Sequence, residues 1–485
     1  MKLLFQKKPE FTEVDPYKML INIGCLMDIP VGSYVRGQKG ENLMNGGFSN
    51  LVAIAGKGNT FKSTIAHYMF LSAASKMAAS GLMPYLNTYD TEMNISLDRL
   101  NRFAQIFPEF EGFDLHKEGV WSVTDKTLHL GNEWFKILKD FLRETKVKNK
   151  KSYTFETPFV DKDGKPIHML FPTFGEVDSI SEFETADIEE MQNKNEIGTS
   201  GGNTIHMRAG LAKTRLLMEL PGLCNTTGHY MIMTAHVGKE GPDMNASPMS
   251  RPTKTLQHMK SGEAIKGVTG KFFFLPTAVW QTASSTLLNN QGTKGPEYPR
   301  LRDDPDPNSS DLNIVTIRML RSKFGPSGVN LKVIVSQTEG VLPSLTEFHF
   351  LKEDCGRYGI EGSLQNYNMV LYPDVKLQRT TVRNLIDTDP LLRRAIKITA
   401  DLAQIATFYK TLPFAIPPIE DLYKKLEEEY GWGILLQTRD FWTFNHYDHP
   451  VPYLSSLDLL EMYYGTYIPY WWDPKTKTVK SPKKK

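Results

Sequence analysis

A glycine-rich segment that carries a lysine and a hydroxyl side chain, residues 56–64, has the spacing of a phosphate-binding loop. It fits G-x-x-x-x-G-K-[ST], except that Phe61 replaces the second glycine, at a position that often needs glycine's backbone freedom. In such a loop, backbone amides and the positive end of the following helix bind phosphates. Lys62 would neutralise the β and γ phosphates of a nucleotide, and the Ser63 hydroxyl would hold Mg²⁺. The predicted nucleotide-binding residues are Gly56, Lys57, Gly58, Asn59, Thr60, Phe61, Lys62, Ser63 and Thr64.

Two further side chains lie where extended runs of the chain end. Glu92 closes the run Met83–Glu92, and a carboxylate beside the phosphate loop could act as a general base or orient a water molecule. His236 lies near the end of the run His229–Val237 and could donate to a γ-phosphate, changing its contact after hydrolysis. The alternatives are a solvated turn carboxylate for Glu92 and an ordinary hydrogen-bonded histidine for His236.

The elements that must position these residues alternate between strand and helix. Leu51–Gly56 is a short apolar run that predicts a strand, and residues 63–78 have apolar residues at helical spacing. Further strands are predicted over Met83–Glu92, 168–177 and His229–Val237, with a long helix before the last of them. This alternation predicts an α/β fold with a mostly parallel, twisted sheet, in which ligands bind beyond the carboxyl ends of the strands.

A phosphate loop with phenylalanine before the lysine resembles that of the strand-exchange recombinases of the UvsX type from bacteriophages, which are relatives of bacterial RecA. Asp28–Gly32 and Gly46–Phe48 also resemble the family's sequence upstream of this loop. The resemblance covers about residues 29–341. It implies a RecA-like P-loop ATPase core that uses ATP and Mg²⁺.

The resemblance also implies roles for single residues. Glu92, in Tyr89–Glu92, is similar in place to the family's glutamate that activates the attacking water. Thr234–His236 resembles the strand end that bears the γ-phosphate sensor. Lys62, Glu92 and His236 are therefore the expected catalytic residues.

Ser63 and Asp178 are the expected metal-binding residues. Val177–Ser179 resembles the family's Mg²⁺-associated aspartate at a strand end. Considered without the family, Pro172 and Gly175 make the preceding run a poor buried strand, so a solvated turn carboxylate is the alternative for Asp178.

Two segments are expected to contact DNA. In RecA-like proteins a DNA-contacting loop follows the position of Asp178; here its first half is acidic, so contact is expected near Asn203, His206 and Arg208. A second segment holds basic residues spaced by small residues, as a sequence-tolerant binder of single strands requires; a solubilising surface loop is the alternative. Its expected DNA-binding residues are Arg251, Lys254, Lys260, Lys266 and Lys271. The aromatic run Phe272–Phe274 is predicted to be a buried strand rather than a base-stacking platform.

Arg318, Arg321 and Lys323 have the spacing R-x-x-R-x-K. This pattern resembles the basic residues that RecA-like ATPases insert into the neighbouring subunit's nucleotide site, which predicts that hydrolysis depends on assembly. The alternative is an exposed, salt-bridged strand.

The 485 residues divide into segments of different character. We predict an N-terminal segment 1–45, an ATPase core 46–345 with a β-hairpin insertion at about 111–168, a C-terminal helical domain 374–472, and a disordered basic tail 473–485. The 57 basic and 55 acidic residues nearly balance, so DNA binding would depend on local basic patches. Three cysteines indicate a reducing compartment, and no apolar run is long enough for a membrane span, which together predict a cytoplasmic protein, in an infected host cell if the resemblance holds.

The resemblance to strand-exchange recombinases implies a DNA-dependent ATPase that forms filaments on single-stranded DNA and catalyses homologous pairing and strand exchange in phage recombination, repair and replication. The expected partners are single- and double-stranded DNA, further copies of the chain, and phage single-strand-binding and mediator proteins, with no membrane. One alternative is a ring-forming replicative helicase of the DnaB-like class, because Lys323–Gly328 resembles that family's K-x-R-x-G-P-x-G element. Another is a DNA-annealing module on a degenerate P-loop.

Overall fold

The computed structural model describes residues 18–186, 188, 190, 202–239, 256–292, 294–300, 311–363 and 366–480. In this part of the chain, the strands in order are β1 (Ser33–Arg36), β2 (Asn42–Asn45), β3 (Leu51–Gly56), β4 (Leu86–Asp90), β5 (Trp121–Asp125), β6 (Thr154–Val160), β7 (Pro166–Leu170), β8 (Thr173–Asp178), β9 (His229–Lys239), β10 (Glu263–Ile265), β11 (Ala278–Leu287), β12 (Leu312–Ser322), β13 (Asn330–Ser336), β14 (Gly340–Val341), β15 (Ile360–Gly362), β16 (Tyr367–Met369), β17 (Tyr372–Leu377), β18 (Trp472–Asp473) and β19 (Thr478–Val479).

The α-helices of the described residues are α1 (Lys62–Ala78), α2 (Leu97–Ala104), α3 (Gly131–Asp140), α4 (Lys150–Tyr153), α5 (Gly202–Thr227), α6 (Lys271–Phe274), α7 (Pro343–His349), α8 (Val382–Thr388), α9 (Pro390–Phe408), α10 (Ile419–Glu429), α11 (Trp432–Leu435) and α12 (Ser456–Tyr463). None of them has the length and apolar character that crossing a membrane requires.

A mixed sheet of ten described strands forms the centre of the fold, in the order β14-β13-β12-β11-β3-β9-β8-β4-β5, with β10 on β9. The strands from β11 to β5 in this order pair in parallel, and β12, β13 and β14 extend the sheet by antiparallel pairing. The chain is therefore an α/β protein with a large, mostly parallel sheet, which confirms that coarse part of the prediction.

Alternate residues of β3 face two hydrophobic cores, one on each face of the sheet. Val52 and Ile54 belong to the core that includes α1, whereas Leu51, Ala53 and Ala55 belong to the core that includes α5. A strand covered on both faces is apolar throughout, as this one is. The covered sheet presents the loop that follows Gly56 at its carboxyl edge.

Several predicted elements differ in detail. The strand expected over 168–177 is split, because β7 ends at Leu170 and β8 begins at Thr173. The hairpin around Gly164 is confirmed as the antiparallel pair β6–β7, but the stretch 111–168 also contains β5, which joins the main sheet.

The aromatic run and the C-terminal tail also need correction. Phe272 and Phe273 are fully buried, as expected of core residues, but they lie on the short helix α6 and not on a strand, and Phe274 is 56% exposed. The basic tail was predicted to be disordered from residue 473, yet β19 pairs with β18. This pairing is local to the chain end, where lysines flank a short Thr-Val strand.

The N-terminal hairpin β1–β2 packs on the helices near the C-terminus. The Arg36 guanidinium donates to both carboxylate oxygens of Glu461 at 2.6 and 2.9 Å. The Tyr453 hydroxyl donates to the Asn42 carbonyl at 2.8 Å. These bonds join the start of the chain to α12 and to the segment before it.

Candidate functional site

Two of the predicted catalytic and metal-binding side chains, Glu92 and Asp178, flank Lys62. Lys62 Nζ lies 3.7 Å from Glu92 Oε1 and 3.6 Å from Asp178 Oδ1, and Lys62 is only 7% exposed. The sheet order explains the cluster, because β3, β9, β8 and β4 are parallel neighbours whose carboxyl ends meet at one edge. Gly56 pairs with His236 in the register of β3 and β9.

The Lys62 ammonium is attracted by the carboxylates of Glu92 and Asp178 but forms a hydrogen bond with neither. Both separations exceed the usual 2.7–3.2 Å range of an N–H···O hydrogen bond. Within the described residues, the ammonium makes no hydrogen bond that would occupy its three donors. Such a group can turn toward phosphate oxygens without first breaking a strong bond.

Glu92 is the acceptor of a direct hydrogen bond from His236, with Nε2 and Oε1 2.7 Å apart. This bond is the largest influence on the Glu92 carboxyl and, with Lys62 and against the opposing effect of burial, lowers its pKa to about 2. Glu92 is therefore an ionised carboxylate at neutral pH. In this arrangement it is a weak base that is suited to orienting a water molecule rather than to holding a proton.

Asp90 holds the turn that carries Glu92, and sequence reasoning overlooked it. Its buried carboxylate accepts from the backbone N–H groups of Glu92 and Met93 at 3.0 and 2.9 Å. It also accepts from those of Asn94 and Ile95 at 2.8 and 2.9 Å. An aspartate whose side chain bonds the backbone of the next residues is a known turn device, so the Asp two positions before Glu92 was a usable signal.

Two threonines fix the position of Asp178. Thr91, at the end of β4, donates from its backbone N–H to the Asp178 carbonyl at 2.8 Å, and its hydroxyl bonds both the carbonyl and the N–H of Ser179 at 2.8 Å. The Thr234 hydroxyl donates to Asp178 Oδ1 from β9, which pairs with β8 on the side opposite β4. Nothing in the linear spacing of these residues indicates that they meet, because the strand order alone makes them neighbours.

Phe61 has a left-handed backbone conformation, with φ 59° and ψ 26°, directly before α1 begins. A non-glycine residue in this region costs about 1–2 kcal/mol. The position does require the freedom that glycine usually supplies, and Phe61 instead packs its partly buried ring against the core on the α1 face of the sheet. The loop thus keeps its shape at the expense of backbone strain.

The rest of the phosphate loop is attached to neighbouring strands. A Cβ on Gly56 would lie 2.0 Å from Thr282 Oγ1 on β11, so only glycine fits there. The hydroxyls of Thr60 and Thr282 are 2.7 Å apart. Lys57 forms a 2.6 Å ion pair with Glu263 on β10. The nucleotide-binding residues predicted from the sequence therefore form one contiguous loop at the carboxyl edge of β3.

The predicted DNA-binding residues that the structure describes lie outside this cluster. Lys260, Lys266 and Lys271 are exposed on the segment that flanks β10, and Arg208 is exposed on α5. The Lys266 N–H donates to the His236 carbonyl at 2.8 Å, which joins this segment to the strand that carries the candidate sensor. Two further members of the set, Arg251 and Lys254, lie outside the described residues.

The three residues proposed to act on a neighbouring subunit lie on or next to β12, which β11 separates from β3. Arg318 donates to Asn330 Oδ1 at 2.7 Å and to the His258 carbonyl at 2.8 Å. Arg321 donates to the carbonyls of Phe274 and Pro276. The Lys323 side chain is exposed, and its role in another subunit stays a prediction.

Ser63 and Asp178 could hold a magnesium ion only together with phosphates and water. Among the described residues, no group of three or more His, Cys, Asp or Glu side chains could hold a metal ion by itself. Mg²⁺ commonly binds proteins through one or two carboxylates, with substrate phosphates and several waters completing its shell. The Ser63 hydroxyl and the Asp178 carboxylate fit this mode of magnesium binding.

No protein-family model matches this chain, and no curated protein matches it either.

Proposed function

We propose that this chain is a RecA-like P-loop ATPase, dependent on DNA, that forms filaments on single-stranded DNA and catalyses homologous pairing and strand exchange. The observation that carries the proposal is the buried, unbonded ammonium of Lys62 between Glu92 and Asp178, at the carboxyl ends of adjacent parallel strands. A buried charge is costly, and a lysine without a direct hydrogen bond is best explained by a ligand that supplies the bonds.

The charges of the cluster favour a nucleotide that arrives with a divalent cation. One ammonium faces two carboxylates, so phosphate oxygens alone would meet net negative charge. Mg²⁺, if bound, would neutralise part of the charge of the phosphates. Ser63 and Asp178 are the residues that would hold it, and Lys62 would bind the β and γ phosphates.

His236 is the proposed sensor of the γ-phosphate. Its Nε2 bonds Glu92 in the absence of nucleotide, and a γ-phosphate oxygen would compete with that carboxylate for the same ring nitrogen. Release of Glu92 from His236 and Lys62 would raise its pKa toward the ordinary range and leave it free to orient the attacking water. The histidine contact would then differ before and after hydrolysis.

The exposed lysines around β10 support DNA as the polymer that this switch serves. The Lys266 backbone N–H donates to the His236 carbonyl. A movement of the His236 backbone would therefore reach a segment that carries exposed lysines. Contacts between lysine and phosphate are independent of base sequence and salt-sensitive, as strand exchange between arbitrary sequences requires.

Titration calorimetry of the full chain with Mg²⁺ and a nonhydrolysable ATP analogue tests the nucleotide site. Lys62→Ala should lose ATP binding and turnover while keeping salt-sensitive DNA binding. Lys136→Ala, which removes an exposed lysine on α3, is the matched control and should behave as the wild type. Undiminished turnover by Lys62→Ala would remove this loop from the mechanism.

Electron micrographs of the protein on single-stranded DNA with the same analogue test the assembly. Open helical filaments are expected. Closed six-membered rings, together with unwinding of a forked duplex, would replace the recombinase by the helicase.

A further inference from the structure

Lys213 on α5 joins the loops that follow β8 and β10, two strands that both pair with β9. Its Nζ donates to the Ser181 carbonyl at 2.5 Å and to the Gly267 carbonyl at 2.9 Å. Ser181 lies just after β8, and Gly267 lies just after β10. A single ammonium therefore holds together two segments that are far apart in sequence.

This lysine is buried without a close counter-ion. It is 8% exposed, and within the described residues no carboxylate lies at ion-pair distance from its Nζ. Burial lowers the pKa of Lys213, and the more distant carboxylates of Glu182 and Glu184 oppose this effect only in part. Two carbonyls compensate a buried ammonium only in part.

Ser181 connects this lysine to the candidate sensor. Its hydroxyl accepts from the His236 backbone N–H at 3.0 Å and donates to the Lys266 carbonyl at 2.9 Å. The Lys266 N–H in turn donates to the His236 carbonyl. The peptide groups on both sides of His236 are thus bonded to the two segments that Lys213 joins.

The contact between the two segments is tight enough to require a glycine. Gly267 has φ +66°, and a Cβ there would lie 2.7 Å from the Ser181 carbonyl oxygen and 2.9 Å from the Ser181 Cα. Because these backbones touch, a shift of one displaces the other. We define Ser181, Lys213 and Gly267 as the junction.

We propose that Lys213 is a positioning residue that makes the segment bearing Lys266 move together with His236, so that the state of the nucleotide sets the DNA-binding surface. This inference rests on the proposed function. When the His236 imidazole leaves Glu92, its backbone can shift only with Ser181 and Lys266, and Lys213 ties that shift to α5. Without the ammonium, the two carbonyls lose their common donor and the loops move independently.

ATP turnover by Lys213→Met, with and without single-stranded DNA, tests the inference. We expect the stimulation by DNA to fall about tenfold, within the usual range of coupling between sites, while turnover without DNA and the affinity for ATP stay within about twofold. The preference of DNA for the ATP-bound form should also fall, and the gain in ATP affinity that DNA provides should fall by the same factor as that preference, because coupling between two binding events is reciprocal. Arg215→Met is the matched control, since Arg215 is two residues away on α5, exposed, and paired only with Glu219 at 3.4 Å.

Ser181→Ala provides a second route if Lys213→Met does not fold, because it removes only one hydroxyl. It should also uncouple DNA from turnover, by a smaller factor. Full stimulation by DNA in both folded variants would overturn this inference and leave the proposed function standing. If the wild-type protein neither binds ATP nor shows DNA-stimulated turnover, both this inference and the proposed function are wrong.

Discussion

Two lysine–carboxylate clusters in this molecule have nearly the same composition and opposite character. In the candidate site, Lys62 lies 3.6 and 3.7 Å from its two carboxylates and makes no direct hydrogen bond among the described residues. Near the C-terminus, Lys397 donates directly to Asp401 and lies 3.6 Å from Asp440. The first lysine is held by charge alone, whereas the second is bonded.

The carboxylates differ as much as the lysines. In the candidate site the hydrogen bond from His236 lowers the pKa of Glu92 to about 2, so this group is ionised. Around Lys397, burial raises the pKa of Asp28 to about 6 and that of Glu347 to about 8, against the attraction of the lysine. An arrangement of ionised groups with an uncommitted cation suits exchange with a ligand, whereas a bonded cation beside a glutamic acid that is protonated at neutral pH suits a permanent joint.

The second cluster joins three parts of the chain. Asp28 belongs to the N-terminal segment, Glu347 to α7, and Lys397 to α9. The comparison teaches that residue types alone do not separate a binding site from a structural joint; bond length and protonation state do. Substitutions of the two lysines, and of Glu347 and Glu92 beside them, test that distinction directly.

The largest effect on stability is expected from Lys397→Met. The change leaves Asp401 and Asp440 without their lysine in a buried setting, which should cost about 3–5 kcal/mol of unfolding free energy. Lys62→Met should cost clearly less, because its ammonium makes no direct bond and Glu92 keeps His236. Urea unfolding followed by tryptophan fluorescence measures both. Equal losses would contradict the contrast between a bonded and an uncommitted lysine.

Asp90→Ala is expected to affect catalysis more than stability. Without the acceptor for four backbone N–H groups, the turn no longer holds Glu92 in place, and misplacement by about 1 Å can lower kcat about 100-fold. ATP affinity should change little, because Lys62 and the phosphate loop are intact. Steady-state hydrolysis and calorimetry separate the two. Asp90→Asn, which keeps one acceptor oxygen, should retain more activity than the alanine variant; equal loss in both would argue against the turn-holding role.

The Lys397 cluster should make stability depend on pH with a defined sign. Burial raises the pKa of Glu347 from 4.5 to about 8, so between these values the folded state binds the extra proton. Unfolding free energy should therefore fall as pH rises from about 4.5 to about 8, by at most about 1.4 kcal/mol per pH unit for this group. The charged and titratable groups that face it are Lys397, Asp401, Asp440 and Asp28.

Glu347→Gln should flatten this slope, as urea unfolding at a series of pH values would reveal. Glu92→Gln should not flatten it. The lowered pKa of Glu92 gives a contribution that is present above pH 4.5 and is lost only as pH falls toward about 2. An unchanged slope in Glu347→Gln would show that this glutamate titrates normally.

The smallest effect is expected at Phe61. At this position the glycine variant should be more stable than the alanine variant by about 1 kcal/mol, the reverse of the usual order, because only glycine adopts φ 59° without strain. Both variants lose the packing of the ring equally. Thermal unfolding of Phe61→Gly and Phe61→Ala compares them directly, and a more stable alanine variant would mean that the loop is not strained here.

The amino-acid sequence was sufficient to predict those elements whose contacts join residues that are close together in the chain. Leu51–Gly56 is apolar throughout and is followed by a loop and a run with apolar residues at helical spacing, so β3, the loop after it and α1 were all expected. The hairpin β6–β7 was expected for the same reason, because an Asp-Gly turn lies between two extended runs. Asp90 could also have been recognised from its local turn chemistry.

Contacts across the sheet could not be read in this way. That Thr234 bonds Asp178 depends on β9 lying between β3 and β8, an order that no local pattern specifies. Nor does the sequence distinguish Lys213, which joins two loops, from Arg215, which is exposed on the same helix.

What the amino-acid sequence determined by itself is the local chemistry: a strand, a lysine-bearing loop and a helix, with acids and a histidine at the ends of later strands. These follow from backbone preferences and from the spacing of apolar residues, which act over a few positions. The tertiary structure alone decided that Lys62 lies between two carboxylates without bonding either, while Lys397 bonds one. That difference lies in the length of single contacts and in burial, both of which arise from the packing of the whole chain.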